Sequence, residues 1–163
     1  MTGTTTTLSD KAKAEIDIWL AKYPEDQRRS AVIPALHVVQ DENGGWLSEE
    51  LMNAVADYLQ ISRVAVYEVA TFYSMYDLKP VGKHKVCVCT NVSCMLANSD
   101  EIVQRLKEKL NINFGETSAD GKVTLKEVEC LGACVNAPVM VVDKTYHEKL
   151  TPEKVDQILE ELE

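Results

Sequence analysis

Four of the five cysteines in this 163-residue chain fall into two short-range pairs, and the pairs lie far apart. Cys89 and Cys94 stand in "CTNVSC", a C-x4-C spacing, and Cys130 and Cys134 stand in "CLGAC", a C-x3-C spacing, with 35 residues between the pairs. A fold that uses both pairs together must bring two distant loops to one place. The opening "MTGTTTTLSD" has neither a basic residue nor an apolar stretch, so no export signal or transit peptide is expected there. Thiols without export point to a reducing compartment, where structural disulfides are rare. A crosslinked pair is therefore the weaker reading of either motif.

The chain changes grammar near its middle. Residues 1–8 read as a frayed tail, and residues 9–78 carry a helical pattern throughout. Ser9 or Asp10 can cap a first helix with Ile16, Trp19, Leu20 and Tyr23 on one face, and Pro24 stops it. A second helix from about Ser30 to Gln40 presents Val32, Ile33, Leu36 and Val39, with Pro34 tolerable only near the first turn. Ser48 caps a third helix with Glu49 and Glu50 in its first turn and Leu51, Val55 and Leu59 as its buried stripe. Ser62 opens a fourth, with Val66, Val69 and Ala70. Four short amphipathic helices make a small bundle.

Pro80 and Gly82 mark a hinge, and residues 79–163 alternate strands and helices. "KVCVCT" (85–90), "KVTLKEV" (122–128) and "PVMVV" (138–142) read as strands. Asn98 and Glu101 predict a capping box for a helix lined by Ile102, Val103, Leu106 and Leu110. Thr151 as cap and Pro152 at the first helical position open a closing helix with Val155, Ile158, Leu159 and Leu162. The fold class is α+β: a small helical bundle at the N-terminus, followed by an α/β sandwich of three strands and two helices.

Composition removes several function classes. Net charge is −9, and no basic cluster is present to track a phosphate backbone, so nucleic acid is not a partner. No apolar run approaches the roughly 18 residues of a membrane span, so direct membrane contact is not expected. There is no G-x-G-x-x-G loop and no P-loop; Gly44–Gly45 reads as a turn.

The thiol spacing is selective. A thioredoxin-type redox pair needs C-x-x-C, which neither pair has. Structural zinc sites favour two-residue gaps. No histidine lies between 89 and 134, so neither a mixed zinc set nor a Rieske centre fits. On residues alone an iron–sulfur cluster leads, with zinc next and disulfides or unrelated thiols still open. A [2Fe–2S] core on four thiolates carries a charge of about −2, and about −3 once reduced, so it needs N–H donors nearby. Gly132 and Ala133 let backbone amides approach sulfur, and Thr90, Asn91 and Ser93 offer further donors; as turn formers all five also have a plainer reading. Cys87, two residues before Cys89 on the same strand, reads as a buried apolar thiol rather than a ligand. His37, His84 and His147 read as surface or satisfied core residues.

"CTNVSC" and "ECLGACVNAPVMVV" resemble the thioredoxin-like [2Fe–2S] ferredoxin module. With "GGWLSEEL" and "VYEVATFYSMYDLKPVGKH" upstream, the chain resembles the NuoE-type family of bacterial respiratory NADH:quinone oxidoreductase (complex I) over nearly its whole length. The resemblance implies a thioredoxin-like ferredoxin domain at 79–163, one [2Fe–2S] cluster on Cys89, Cys94, Cys130 and Cys134, and no catalytic residue or substrate site of its own. It implies a heterodimer or larger complex with a flavin- and NADH-binding subunit (NuoF type), which would hold FMN and NADH. The helical half would dock onto that subunit, and the place would be the cytoplasmic peripheral arm of an inner-membrane complex, or the mitochondrial matrix side for an organellar protein. Similar subunits serve NAD-linked hydrogenases and formate dehydrogenases, and a zinc-stabilised interaction module is the reading without redox chemistry. Phe72, Tyr73, Met75 and Tyr76 have the composition of an interface core, or of packing between the two halves. Ala137–Pro138 stands where thioredoxin-like folds often carry a cis peptide.

Overall fold

The structure is a computed structural model that describes residues 7–162. The chain divides into two compact units, at Pro80 and Val81. Most of the tail expected over 1–8 lies outside the described residues, but Leu8 does not fray: it is buried in the core of the first unit.

The first unit holds α1 (Asp10–Leu20), a 3₁₀ segment (Glu25–Ala31), α2 (Val32–Glu42), α3 (Glu49–Leu59) and α4 (Arg63–Phe72). Local chemistry sets the starts. The Ser9, Ser48 and Ser62 hydroxyls each accept from the backbone N–H three residues on, satisfying a donor that the first turn leaves unpaired. The second helix begins two residues later than its pattern suggests, with Pro34 in its first turn. Ile16, Leu36, Val55, Leu59 and Val66 are fully buried together. Ile33, expected on the buried face, is exposed, and Val38 takes the inward position instead. Arg28 closes α3 by donating to the Leu59 and Tyr58 carbonyls. The segment after α4 is held by buried Gln40, which donates to the Met75 carbonyl at 3.2 Å and accepts from Asp77 N–H at 2.8 Å. The buried Tyr76 hydroxyl donates to the Ile33 carbonyl at 2.9 Å. Phe72, Tyr73 and Met75 are exposed.

The second unit holds β1 (His84–Cys89), α5 (Val92–Leu96), α6 (Ser99–Leu110), β2 (Val123–Val128), β3 (Met140–Val142), β4 (Thr145–His147) and α7 (Pro152–Glu160). The sheet order is β2-β1-β3-β4, with β1 parallel to β2 and antiparallel to β3. Val86, Val88, Val123, Leu125, Met140 and Val142 share one core with Ile102 and Leu106 of α6 and Val155 and Ile158 of α7. Both helices therefore cover the same face of the sheet. A bidentate pair from Arg105 to Asp156, with Lys109 Nζ 3.4 Å from the same carboxylate, ties α6 to α7.

Three details differ from the sequence pattern. α5 and β4 are short elements with no periodic signal, so the pattern shows one helix and one strand too few. Asn98 is the cap residue of α6, but in a left-handed conformation with no side-chain cap bond, so no capping box forms with Glu101. Gly82 is a contact point rather than a hinge. It is buried, its N–H donates to Thr124 Oγ1 at 2.7 Å, and a Cβ there would lie 2.9 Å from the Lys122 backbone.

Candidate metal centre

The sheet topology places the thiols. β1 and β2 are parallel and β3 runs against them, so the C-terminal ends of β1 and β2 and the start of β3 share one end of the sheet. Cys89 is the last residue of β1, and Cys94 sits in α5 just after it. Cys130 follows β2, and Cys134 opens a 3₁₀ turn that leads to β3. The Ala137–Pro138 peptide on that path is cis.

Cys89 and Cys94 form an inner, buried pair; Cys130 and Cys134 form an outer, exposed pair. Burial pushes the Cys94 thiol up to about 11, helped by its hydrogen bond with Cys89 and by the nearby Cys89 and Cys134 sulfurs. Cys89 is thus a direct neighbour of Cys94, and Cys134 lies near enough to act on it. The carbonyl of Glu129, the residue before Cys130, accepts from Cys89 Sγ at 3.6 Å. The Cys130 sulfur accepts from Gly132 N–H at 3.3 Å. Gly132 has φ +76°, with open space where a Cβ would stand, so its role is backbone conformation rather than fit. All five cysteines are free of disulfides. Among the described residues, no three side chains of His, Cys, Asp or Glu gather as they would about a single metal ion.

Of the donors expected near sulfur, Thr90 is committed elsewhere, and Asn91 has its side-chain oxygen engaged in a cap. Thr90 Oγ1 donates to Glu127 Oε1 at 2.7 Å, and the Asn91 side chain caps α5 by accepting from Val92 N–H at 2.7 Å. Asn91 thereby orients the turn that carries Cys94. Cys87 is half-buried rather than buried, because its strand neighbours Val86 and Val88 take the helix-covered face and Cys87 takes the other. His37 stacks near the Tyr76 ring, His84 Nδ1 lies 2.8 Å from Asp143 Oδ2, and burial lowers the pKa of His147. The sequence pattern does not disclose Tyr146, whose hydroxyl donates to the Leu131 carbonyl inside the Cys130–Cys134 loop at 3.0 Å. Nor does it disclose an apolar rim on the thiol-bearing turns: Val92, Met95, Leu96 and Val135 are all exposed.

The profile of the thioredoxin-like [2Fe-2S] ferredoxin family matches residues 16–163, which include all four paired thiols. The chain belongs to that family. The E subunit of the NADH-quinone oxidoreductase of Rickettsia bellii is 48% identical over 143 residues, 88% of this chain and 86% of that protein. The mitochondrial NADH dehydrogenase [ubiquinone] flavoprotein 2 of Dictyostelium discoideum is 46% identical over 143 residues, 88% of this chain and 58% of that protein. An NAD+-reducing [NiFe]-hydrogenase, in its H2-reduced state, shares the fold with a TM-score of 0.69 at 17% identity, over 80% of this chain and 22% of that chain.

For a thioredoxin-like ferredoxin, the group to be accommodated is a two-iron core that takes two thiolates on each iron. The residues fit it. The four thiols divide into an inner and an outer pair, and a backbone N–H already points at one sulfur. As ligands Cys89 and Cys94 would each have to give up a proton, since only thiolates ligate.

Proposed function

We propose that this chain is the electron-transfer subunit of a bacterial respiratory NADH:quinone oxidoreductase, with one [2Fe–2S] cluster held by Cys89, Cys94, Cys130 and Cys134. When bound, the cluster supplies one-electron chemistry beside two-electron oxidation of NADH at a flavin. FMN and NADH belong to the partner subunit, and this chain adds no substrate site. The observation that supports the reading is the common sheet end at which β1 and β2 finish and β3 starts, since the segments that carry the two cysteine pairs adjoin it.

The chain's own residues have separable tasks. Cys89 and Cys94, both buried, hold the inner side of the site away from water. Cys130 and Cys134 are exposed and keep the outer side close to whatever docks there. Gly132 N–H supports charge on Cys130. Val92, Met95, Leu96 and Val135 form an apolar rim fit to meet a partner's surface, since such groups are enriched in interface cores. In the helical unit, exposed Phe72, Tyr73 and Met75 give a second docking surface on the flavin-carrying subunit. The place of action is the cytoplasmic peripheral arm of the membrane complex, or the matrix side in an organelle. Among the described residues no helix is long and apolar enough to cross a membrane.

Anaerobic reconstitution of the full chain tests the reading, with about two irons and two labile sulfides per chain expected. Zinc in their place, with no visible absorption, refutes it. The second reading is the equivalent diaphorase subunit of an NAD-linked hydrogenase or formate dehydrogenase, suggested by the shared hydrogenase fold. Chains that co-purify with this one decide between the assemblies.

A further inference from the structure

We propose that Tyr146 is a positioning residue for the metal centre: its hydroxyl orients and polarises the peptide whose N–H bonds the Cys130 sulfur, and so raises the reduction potential. The inference rests on Cys130 being a cluster ligand, as proposed above.

Two hydrogen bonds meet on one peptide unit. Tyr146 Oη donates to the Leu131 carbonyl at 3.0 Å, and the N–H of the same Leu131–Gly132 peptide donates to Cys130 Sγ at 3.3 Å. A trans peptide is planar, so fixing the direction of its carbonyl also fixes the direction of its N–H. The same plane carries the electronic effect. A donor on the carbonyl draws density from the nitrogen and strengthens the N–H, by about 10–30% per bond in such chains.

The anchor is firm and the anchored loop is not. Tyr146 sits in β4, paired with Val141 of β3, which is paired in turn with Cys87 of β1. The Leu131–Gly132 peptide lies outside any helix or strand, and Gly132 takes a positive φ. Tyr146 is 53% exposed, so its hydroxyl fills no core space, and removing it opens no cavity. Its evident work is the bond to Leu131. Reduction adds negative charge that the sulfurs share, so a donor to Cys130 favours the reduced state. A weaker donor lowers the potential.

The test compares reconstituted full-length wild type, Tyr146→Phe and Tyr146→Leu in redox titrations followed by paramagnetic resonance. Chains labelled with ¹⁵N-glycine add a pulsed measurement of the Gly132 nitrogen coupling. Both variants should hold two irons per chain. At a fixed solution potential their reduced-to-oxidised ratio should fall about threefold, equal to about 28 mV for a one-electron couple at 59 mV per tenfold, and the glycine coupling should shrink. A Phe variant that titrates with wild type and keeps the same coupling overturns the proposal. So does a variant that loses iron while its remaining clusters keep the wild-type potential, because the role is then only structural. A wild-type chain without a two-iron cluster removes the ligand assignment itself and the inference with it.

Discussion

Replacing Gly82 by alanine tests the close backbone approach at the β1–β2 junction. An added Cβ would stand 2.9 Å from both the carbonyl carbon and oxygen of Lys122, closer than real Cβ contacts, and backbone cannot swing aside as a side chain does. The junction is also bonded tightly there. Gly82 N–H meets Thr124 Oγ1 at 2.7 Å and His84 N–H meets the Lys122 carbonyl at 2.7 Å. Pushing the strands apart at this point disturbs the parallel register that runs from His84–Val123 to Cys89–Val128. Overpacking of this kind costs about 1–3 kcal/mol. At about 2 kcal/mol, the melting midpoint of a unit this size falls by roughly 8–16 °C. Gly121→Ala is the internal control. Its φ is +72° with open space around it, so the cost is backbone strain alone, about 1 kcal/mol. Circular dichroism melts read both units together, while Trp19 and Trp46 report on the first unit alone by fluorescence and should not move, which assigns the shift to the second. A Gly82→Ala chain that melts with wild type, or less cost at Gly82 than at Gly121, refutes the close-approach argument.

Three further outcomes follow from single residues. Tyr76→Phe leaves the Ile33 carbonyl without its buried donor and should cost the first unit about 1 kcal/mol in urea titrations read by tryptophan fluorescence. The hydrogen bond from Arg105 holds the Asp156 carboxyl below its usual 3.8. A carboxylate depressed in the folded chain adds stability above pH 3.8 that is lost as pH falls through the folded value, so Arg105→Met should flatten the acid limb of the melting curve below about pH 4. Leu96→Asp, at an 81% exposed rim position, should leave the fold and iron content intact and weaken binding to the proposed flavin-carrying partner at least about tenfold, measured by titration calorimetry. Unchanged affinity would remove the rim from the docking surface.

What the sequence made legible was local. Ser9, Ser48, Ser62 and Thr151 cap helices because a cap needs only a hydroxyl and the next three residues. Ile102 and Leu106 face the core because helical spacing leaves them no other side. The four paired cysteines could be singled out for the same reason, since their spacing is written along the chain. Contacts between distant segments were not legible. Gly82 looks like any loop glycine until the Lys122 backbone is set against it. Thr90 looks like a donor to sulfur until Glu127 engages its hydroxyl. Tyr146 lies on a three-residue strand too short to show alternation, and its partner is fifteen residues away in the thiol loop.

Paramagnetic resonance of the full chain, reconstituted anaerobically and reduced with dithionite, tests the central assignment most directly. One unpaired spin per chain, lost when Cys134 is replaced by serine or shifted in its g-values, is the predicted result. A chain that binds one zinc, or that shows no signal at any potential while still folded, contradicts it.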